Sequence, residues 1–254
     1  MIPLEARKIL LTEGIENDRF AAERAKRLMK GIRTERIERV NDEQLHQIVE
    51  EEILPRRANH GMRADIKPIV IFNRFRYELT EEQIAETKQR FPSLFRIPLM
   101  KVGEHAGFEW RDSGSREYRQ RTGLVCQPAW QLHTIVGCHF RCAYCNLGWY
   151  VSIMLNMEAF VSRLDEFIHR CPQQTLFQYD NYTDTVCFEP EYGGARLLIE
   201  YFARKPGRAL ELYVGKSDHV DFLLDLDHRR HTVCCWSLSG RTQSREFEWR
   251  AATM

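Results

Sequence analysis

The chain has no apolar run near the roughly 20 residues that a bilayer-spanning helix needs, and its opening, MIPLEARKILLTEG, has no apolar core of signal-peptide length. These two absences predict a cytoplasmic protein. An excess of either charge is also missing: 37 Lys and Arg stand against 36 Asp and Glu, so any nucleic-acid site has to be local rather than global. A reducing compartment removes the disulfide framework as a reading of the eight cysteines and leaves metal ligation, redox chemistry or burial. Cys126, Cys171, Cys187, Cys234 and Cys235 are scattered among apolar or loop residues and read as small buried thiols. The other three are packed into one nonapeptide, GCHFRCAYC, residues 137–145.

With 254 residues and 43% hydrophobic content, the chain can bury one large core or a small domain joined to a larger one. RKILLT reads as a strand, and NDRFAAERAKRLMKG as a helix with Asn17 as N-cap and Gly31 at its end. ERIERV reads as a second strand and DEQLHQIVEEEIL as a second helix, opened by Asn41 and stopped by Pro55. Residues 1–55 therefore form a β-α-β-α unit. Residues 56–121 read as a linker or insert holding a strand, IVIFNRF, and a helix opened by the capping box of Thr80 and Gln83. Between Pro98 and Arg121 the pattern is lost, and KVGEHAGFEWRDSGSREYRQR reads as a long exposed connection that is basic from Arg111 to Arg121. Its Arg116, Arg119 and Arg121, with Trp110 and Tyr118 interleaved, are residues that contact phosphates and stack on bases. From 122 to 254 the rhythm becomes regular, with strands at LHTIVG, TLFQYDN, ALELYVGK and HTVCCWSLS. Helices are expected between them at MEAFVSRLDEFI, ARLLIEYFA and, capped by Ser217, SDHVDFLLDL. The fold class is thus α/β, with about four parallel strands in a β/α series.

Cys138, Cys142 and Cys145 have the spacing C-x3-C-x2-C on a loop just after the first strand of that series. Three thiolates on one loop suit three irons of a cubane cluster and leave the fourth iron without a protein ligand. A structural zinc, with Cys126, His133 or His139 as fourth ligand, is the competing use of the same thiols.

This cysteine pattern, with Tyr144 before the last cysteine, resembles the signature of the radical S-adenosylmethionine (SAM) superfamily. The downstream stretches DNYTDTVCFEPEYGGARLLIEYFA and ALELYVGKSDHVDFLLDLDHRRHTVCCWSLSG resemble its spore photoproduct lyase-like branch. The resemblance implies a partial (β/α) radical SAM barrel, a 4Fe-4S cluster on Cys138, Cys142 and Cys145, and SAM as cofactor. It places Tyr144 beside the adenine, Thr183 and Asp184 at the amino acid or ribose part of SAM, Lys216 at its carboxylate, and Ser237 at the methionyl or ribose end. It also implies generation of a 5′-deoxyadenosyl radical, a reductant such as flavodoxin or ferredoxin, and DNA or another nucleic acid as substrate.

Two departures accompany the match. Asn181 stands where the lyases carry a hydrogen-donating cysteine, Cys187 lies six residues further on, and Asn146 follows the last cluster cysteine where the lyases carry a tyrosine. These positions argue against the lyase reaction itself and leave no assignable catalytic residue. The chain also ends after four strands, whereas such a core has six β/α units. The expectation is therefore a C-terminally truncated barrel, or one half of an enzyme completed by a partner chain. A non-catalytic iron–sulfur or zinc module is the rival reading.

Overall fold

The computed structural model describes residues 1–56, 67–99, 102–111, 116–123, 129–249 and 251. Cys126 lies outside them, as do the side chains of Arg116 and Tyr118. In chain order the elements are β1 (Lys8–Thr12), α1 (Arg19–Gly31), β2 (Ile37–Val40), α2 (Asp42–Ile48), β3 (Ile69–Asn73) and α3 (Glu81–Arg90). They continue with β4 (Phe108–Arg111), α4 (Arg116–Thr122), β5 (Ala129–Leu132), β6 (Ile135–Val136), β7 (Tyr150–Met154) and α5 (Met157–Arg170). The last are β8 (Leu176–Tyr179), α6 (Gly194–Phe202), β9 (Ala209–Gly215), β10 (Thr232–Trp236) and α7 (Arg241–Phe247).

Two five-stranded sheets organise these elements. The first has the order β2-β1-β3-β7-β6, parallel except for β6. Its central strands IVIFN and YVSIM are buried at every position, the pattern of strands covered on both faces. Val70 and Phe72 pack on the side of α1 with Ala21, Ala25 and Leu28, while Ile69 and Ile71 pack on the side of α2 with Leu45, Val49 and Ile53. Asp18, not Asn17, caps α1, because its carboxylate accepts the N–H groups of Phe20 and Ala21. Asn41 and Thr80 each close a reciprocal capping box, as their spacing to Gln44 and Gln83 predicts.

The second sheet has the order β10-β9-β8-β5-β4. Strands β8, β9 and β10 are three of the expected parallel strands, the fourth, β5, lies just ahead of LHTIVG and shares only Leu132 with it, and β4 joins antiparallel to β5. In β9 burial alternates, with Leu210, Leu212 and Val214 turned into the core that α5 and α6 cover through Leu164, Leu198 and Phe202. Among the described residues neither sheet closes into a barrel.

Four local expectations are corrected. The stretch from Leu132 to Gly137 is not one strand: it passes from the second sheet to the first. The break falls where the His133 N–H turns to the Gly107 carbonyl and the Thr134 N–H to the Asp180 carboxylate. SDHVDFLLDL forms one 3-10 turn, Asp221–Leu223, instead of a helix, because the Ser217 hydroxyl accepts the His219 N–H and holds a tight local turn. Residues 98–121 contain β4 and α4 as well as loop. Finally, β7 adds a fifth strand between the cysteine loop and α5, in the N-terminal sheet.

Two buried charges tie these layers together. Arg24 on α1 bonds the carbonyls of Tyr192 and Leu155 and forms a bidentate pair with Glu158 on α5. Lys8, 3% exposed at the start of β1, meets Glu52 at 2.6 Å, and Arg7 reaches the same carboxylate. Burial raises the Glu52 pKa, but the hydrogen bond and charge of Lys8, with Arg7, outweigh it and hold the carboxyl below its ordinary value. A depressed carboxylate stabilises the fold above its unfolded pKa, and that contribution disappears as pH falls through the folded one. Glu52→Gln should therefore lower the urea midpoint at neutral pH, and the two proteins should converge in acid.

Candidate active site

The loop from Gly137 to Gly148 is held at its start by close backbone approach. Gly137 has φ 101°, and a β-carbon there would stand 2.1 Å from the Tyr150 carbonyl, so no other residue fits. Its N–H donates to Tyr182 at 3.0 Å, joining the loop to the end of β8. The Cys145 N–H closes a turn on the Cys142 carbonyl at 2.9 Å. Cys142 is buried, and Cys138 and Cys145 are half-buried. Burial first, then the neighbouring Cys138, push the Cys142 thiol up to about 12.

Each thiol has its own partner. Cys138 faces the fully buried Cys187, Cys142 meets the Tyr144 hydroxyl, and Cys145 accepts the Leu147 N–H at 3.4 Å. Among the described residues no three His, Cys, Asp or Glu side chains converge on one point as metal ligands. The donor set itself, three soft sulfurs on one loop within electrostatic reach of each other, fits an iron–sulfur cluster. Of the competing fourth ligands, Cys126 lies outside the described residues, His133 is bonded through its Nδ1 to Asp180, and the buried His139 ring packs between Phe140 and Trp249.

The five residues expected around SAM fall into one connected network. Asp184, 2% exposed, accepts the N–H groups of Lys216 and Ser217 on one oxygen, at 2.7 and 2.8 Å, and those of Val186 and Cys187 on the other, at 3.2 and 3.1 Å. Burial raises its pKa to about 7 against the pull of these four donors. Gly215, at φ 74°, lets β9 reach it, since a β-carbon there would stand 2.8 Å from the carboxylate. Thr183 is buried, and its hydroxyl donates to the Asp184 carbonyl. The Lys216 ammonium donates to the Ser237 carbonyl and to the Ser239 hydroxyl, and pairs with Glu248 at 2.9 Å. Tyr144, its ring half-exposed, donates its hydroxyl to the same Glu248 oxygen at 2.5 Å.

Glu248 is the residue that the sequence does not announce. It follows α7, whose Phe247 carbonyl accepts the Ala143 N–H at 2.7 Å, while Arg141 lies over the Trp249 ring at 5.0 Å. The segment after β10 therefore lies against the cysteine loop. Near the basic stretch, Trp110 on β4 is exposed and tilts against Trp130, which packs edge-on against Phe167.

An α/β chain with two parallel-rich sheets and a tri-cysteine loop beside the carboxyl end of β8 defines the class. The particular family follows from comparison: the sequence model of the spore photoproduct lyase family matches residues 128–254, and the chain belongs to that family. Solved structures agree in fold. A tyrosine-to-phenylalanine variant of spore photoproduct lyase superposes with a TM-score of 0.60 at 15% identity, covering 99% of this chain and 62% of that one. A double variant with bound AdoMet and dinucleoside spore photoproduct gives 0.61 at 17% identity over the same shares. This chain thus spans about three fifths of the length of those proteins. No curated protein matches it.

The Lys216–Glu248 pair has a structural role that can be measured. The Glu248 side chain is 1% exposed, so Lys216→Met should strand a buried carboxylate and cost roughly 3–5 kcal/mol in urea unfolding. Adding Glu248→Gln should recover most of the loss. Equal instability of the single and double variants would show that the pair is not the cause.

Proposed function

We propose that the chain is a radical SAM protein of the spore photoproduct lyase-like branch, with a 4Fe-4S cluster held by Cys138, Cys142 and Cys145. The observation that carries this reading is the gathering of Tyr144, Thr183, Asp184, Lys216 and Ser237 around the cysteine loop at the carboxyl ends of β8, β9 and β10. Carboxyl ends of parallel strands are where α/β folds present their sites. With SAM bound, such a cluster supplies the electron that cleaves the sulfonium and yields a 5′-deoxyadenosyl radical.

The chain's own residues prepare that site. The Lys216 ammonium, backed by the Ser239 and Tyr144 hydroxyls, forms a donor cradle that already holds the Glu248 carboxylate. This is the chemistry that receives the carboxylate of an amino acid, and the family resemblance assigns the SAM carboxylate to the same lysine. Asp184 spends its oxygens on backbone N–H groups and so positions Lys216 without meeting the ligand itself. Tyr144 presents a half-exposed ring at the loop's rim, where an adenine can stack.

Solved relatives bind a dinucleoside spore photoproduct, and a nucleic acid carries over as the substrate class proposed here. Asn181 and Asn146 occupy the positions of the lyases' donor cysteine and tyrosine, so the hydrogen return step differs from theirs. Cys187 does not replace the donor as it stands, because it is fully buried against Cys138.

Anaerobic reconstitution with iron and sulfide should give a brown protein that converts SAM to 5′-deoxyadenosine under dithionite. Cys142→Ala should abolish both cluster uptake and turnover. A folded, cluster-loaded protein that releases no 5′-deoxyadenosine would overturn the reading.

A further inference from the structure

A second constellation lies apart from the cysteine loop, at the carboxyl ends of β5 and β8. His133 follows β5 directly and Asp180 follows β8, and they are 1% and 0% exposed. The His133 Nδ1 stands 2.6 Å from the Asp180 Oδ1. The same carboxylate also accepts the Thr134 N–H at 2.9 Å and the Tyr182 N–H at 3.0 Å. The Asp180 carboxylate accepts from the Nδ1–H, which in the neutral tautomer leaves the ring's lone pair on Nε2. Tyr182 stacks on the ring, centroids 4.1 Å apart and planes 13° apart, and locks its rotation.

The buried Nε2 makes no hydrogen bond. It faces the Glu109 Oε2 on β4 at 3.4 Å, and the same oxygen accepts the Tyr182 hydroxyl at 3.2 Å. A lone pair facing a carboxylate oxygen is two acceptors opposed, an arrangement that repels unless a proton or a metal cation stands between them. Two ligand atoms each ~2.0–2.1 Å from a tetrahedral zinc lie roughly 3.3–3.4 Å apart, the spacing seen here. The Asp180–His133 bond is also the carboxylate–histidine support that metal-ligating imidazoles use.

We propose that His133 Nε2 and Glu109 form a site for a divalent transition-metal cation of the zinc type, distinct from the cysteine loop. The Tyr182 hydroxyl holds the Glu109 oxygen that would bind the ion, and the remaining positions are left to water or an oxygen donor of a ligand. Two protein ligands leave at least two tetrahedral positions open, so the site is not a closed structural one. Neither residue belongs to the SAM network, so the site stands or falls independently of the proposed function.

Zn²⁺ alone is the probe. In the full chain carrying Cys138→Ser, Cys142→Ser and Cys145→Ser, equilibrium dialysis should find one Zn²⁺ per chain. His133→Ala and Glu109→Gln should each weaken it at least about 10-fold, and Asp180→Asn about 10–100-fold. If the triple variant does not fold, Co²⁺ absorption of the unmodified chain serves: an N/O-ligated component without thiolate charge transfer should be present and be lost in His133→Ala. Absence of that binding in whichever protein is used, or binding unchanged by both His133→Ala and Glu109→Gln, would leave a shared proton between the two groups and overturn the proposal.

Discussion

The candidate site depends on one buried carboxylate. Asp184 accepts four backbone N–H groups, two from the loop after β8 and two from the turn after β9. The Cys187 N–H also reaches the Asp184 carbonyl at 3.3 Å, and a buried donor left unpaired costs about 1–3 kcal/mol. The carboxylate therefore fixes where Lys216 and Cys187 begin, and with them the cation of the cradle and the thiol behind Cys138. Gly215 belongs to this constraint, since a side chain there would collide with Asp184. Asp184, which the resemblance places at SAM, brackets in this structure the turn that carries Lys216.

Around that bracket the polar groups are arranged by reach rather than by sequence proximity. Lys216, Tyr144 and Ser239 all meet on Glu248, 104 residues beyond Tyr144. A lysine with 11% side-chain exposure and a glutamate with 1% are stable together and costly apart, which explains how a cationic cradle persists in a largely buried place. The cysteine loop is held in the same way, by Gly137 against Tyr150 at one end and by Phe247 and Trp249 along its length. Its thiols are kept close to one another, with burial raising Cys142 toward the protonated form.

Local signals in the sequence identify much of the secondary structure. The capping boxes at Asn41 and Thr80, the helical stripe from Met157 and the alternation in ALELYVG each express a period or a cap that a few neighbouring residues determine. Three of the four parallel strands follow from that rhythm. The transfer of the chain between sheets at His133 does not, because it rests on a carboxylate 47 residues away. Strand β7 carries no sequence signal for a related reason: YVSIM is short, uniformly buried and follows an irregular loop, so no alternation marks it. The helix expected at SDHVDFLLDL carried plausible spacing but lost to a serine that satisfies the backbone locally.

The tri-cysteine motif was the legible part of the site, since three thiols in eight residues are rarely accidental. Glu248 and the His133–Asp180–Glu109 group were not legible, because each is assembled from strands or loops far apart in the chain. A radical SAM protein needs a cluster on the cysteine loop with an iron open to SAM. The electron paramagnetic resonance spectrum of the reduced, reconstituted protein, recorded before and after SAM is added, reads this. The cluster signal should change with SAM, and the change should be weaker in Lys216→Ala. A cluster spectrum indifferent to excess SAM would contradict it.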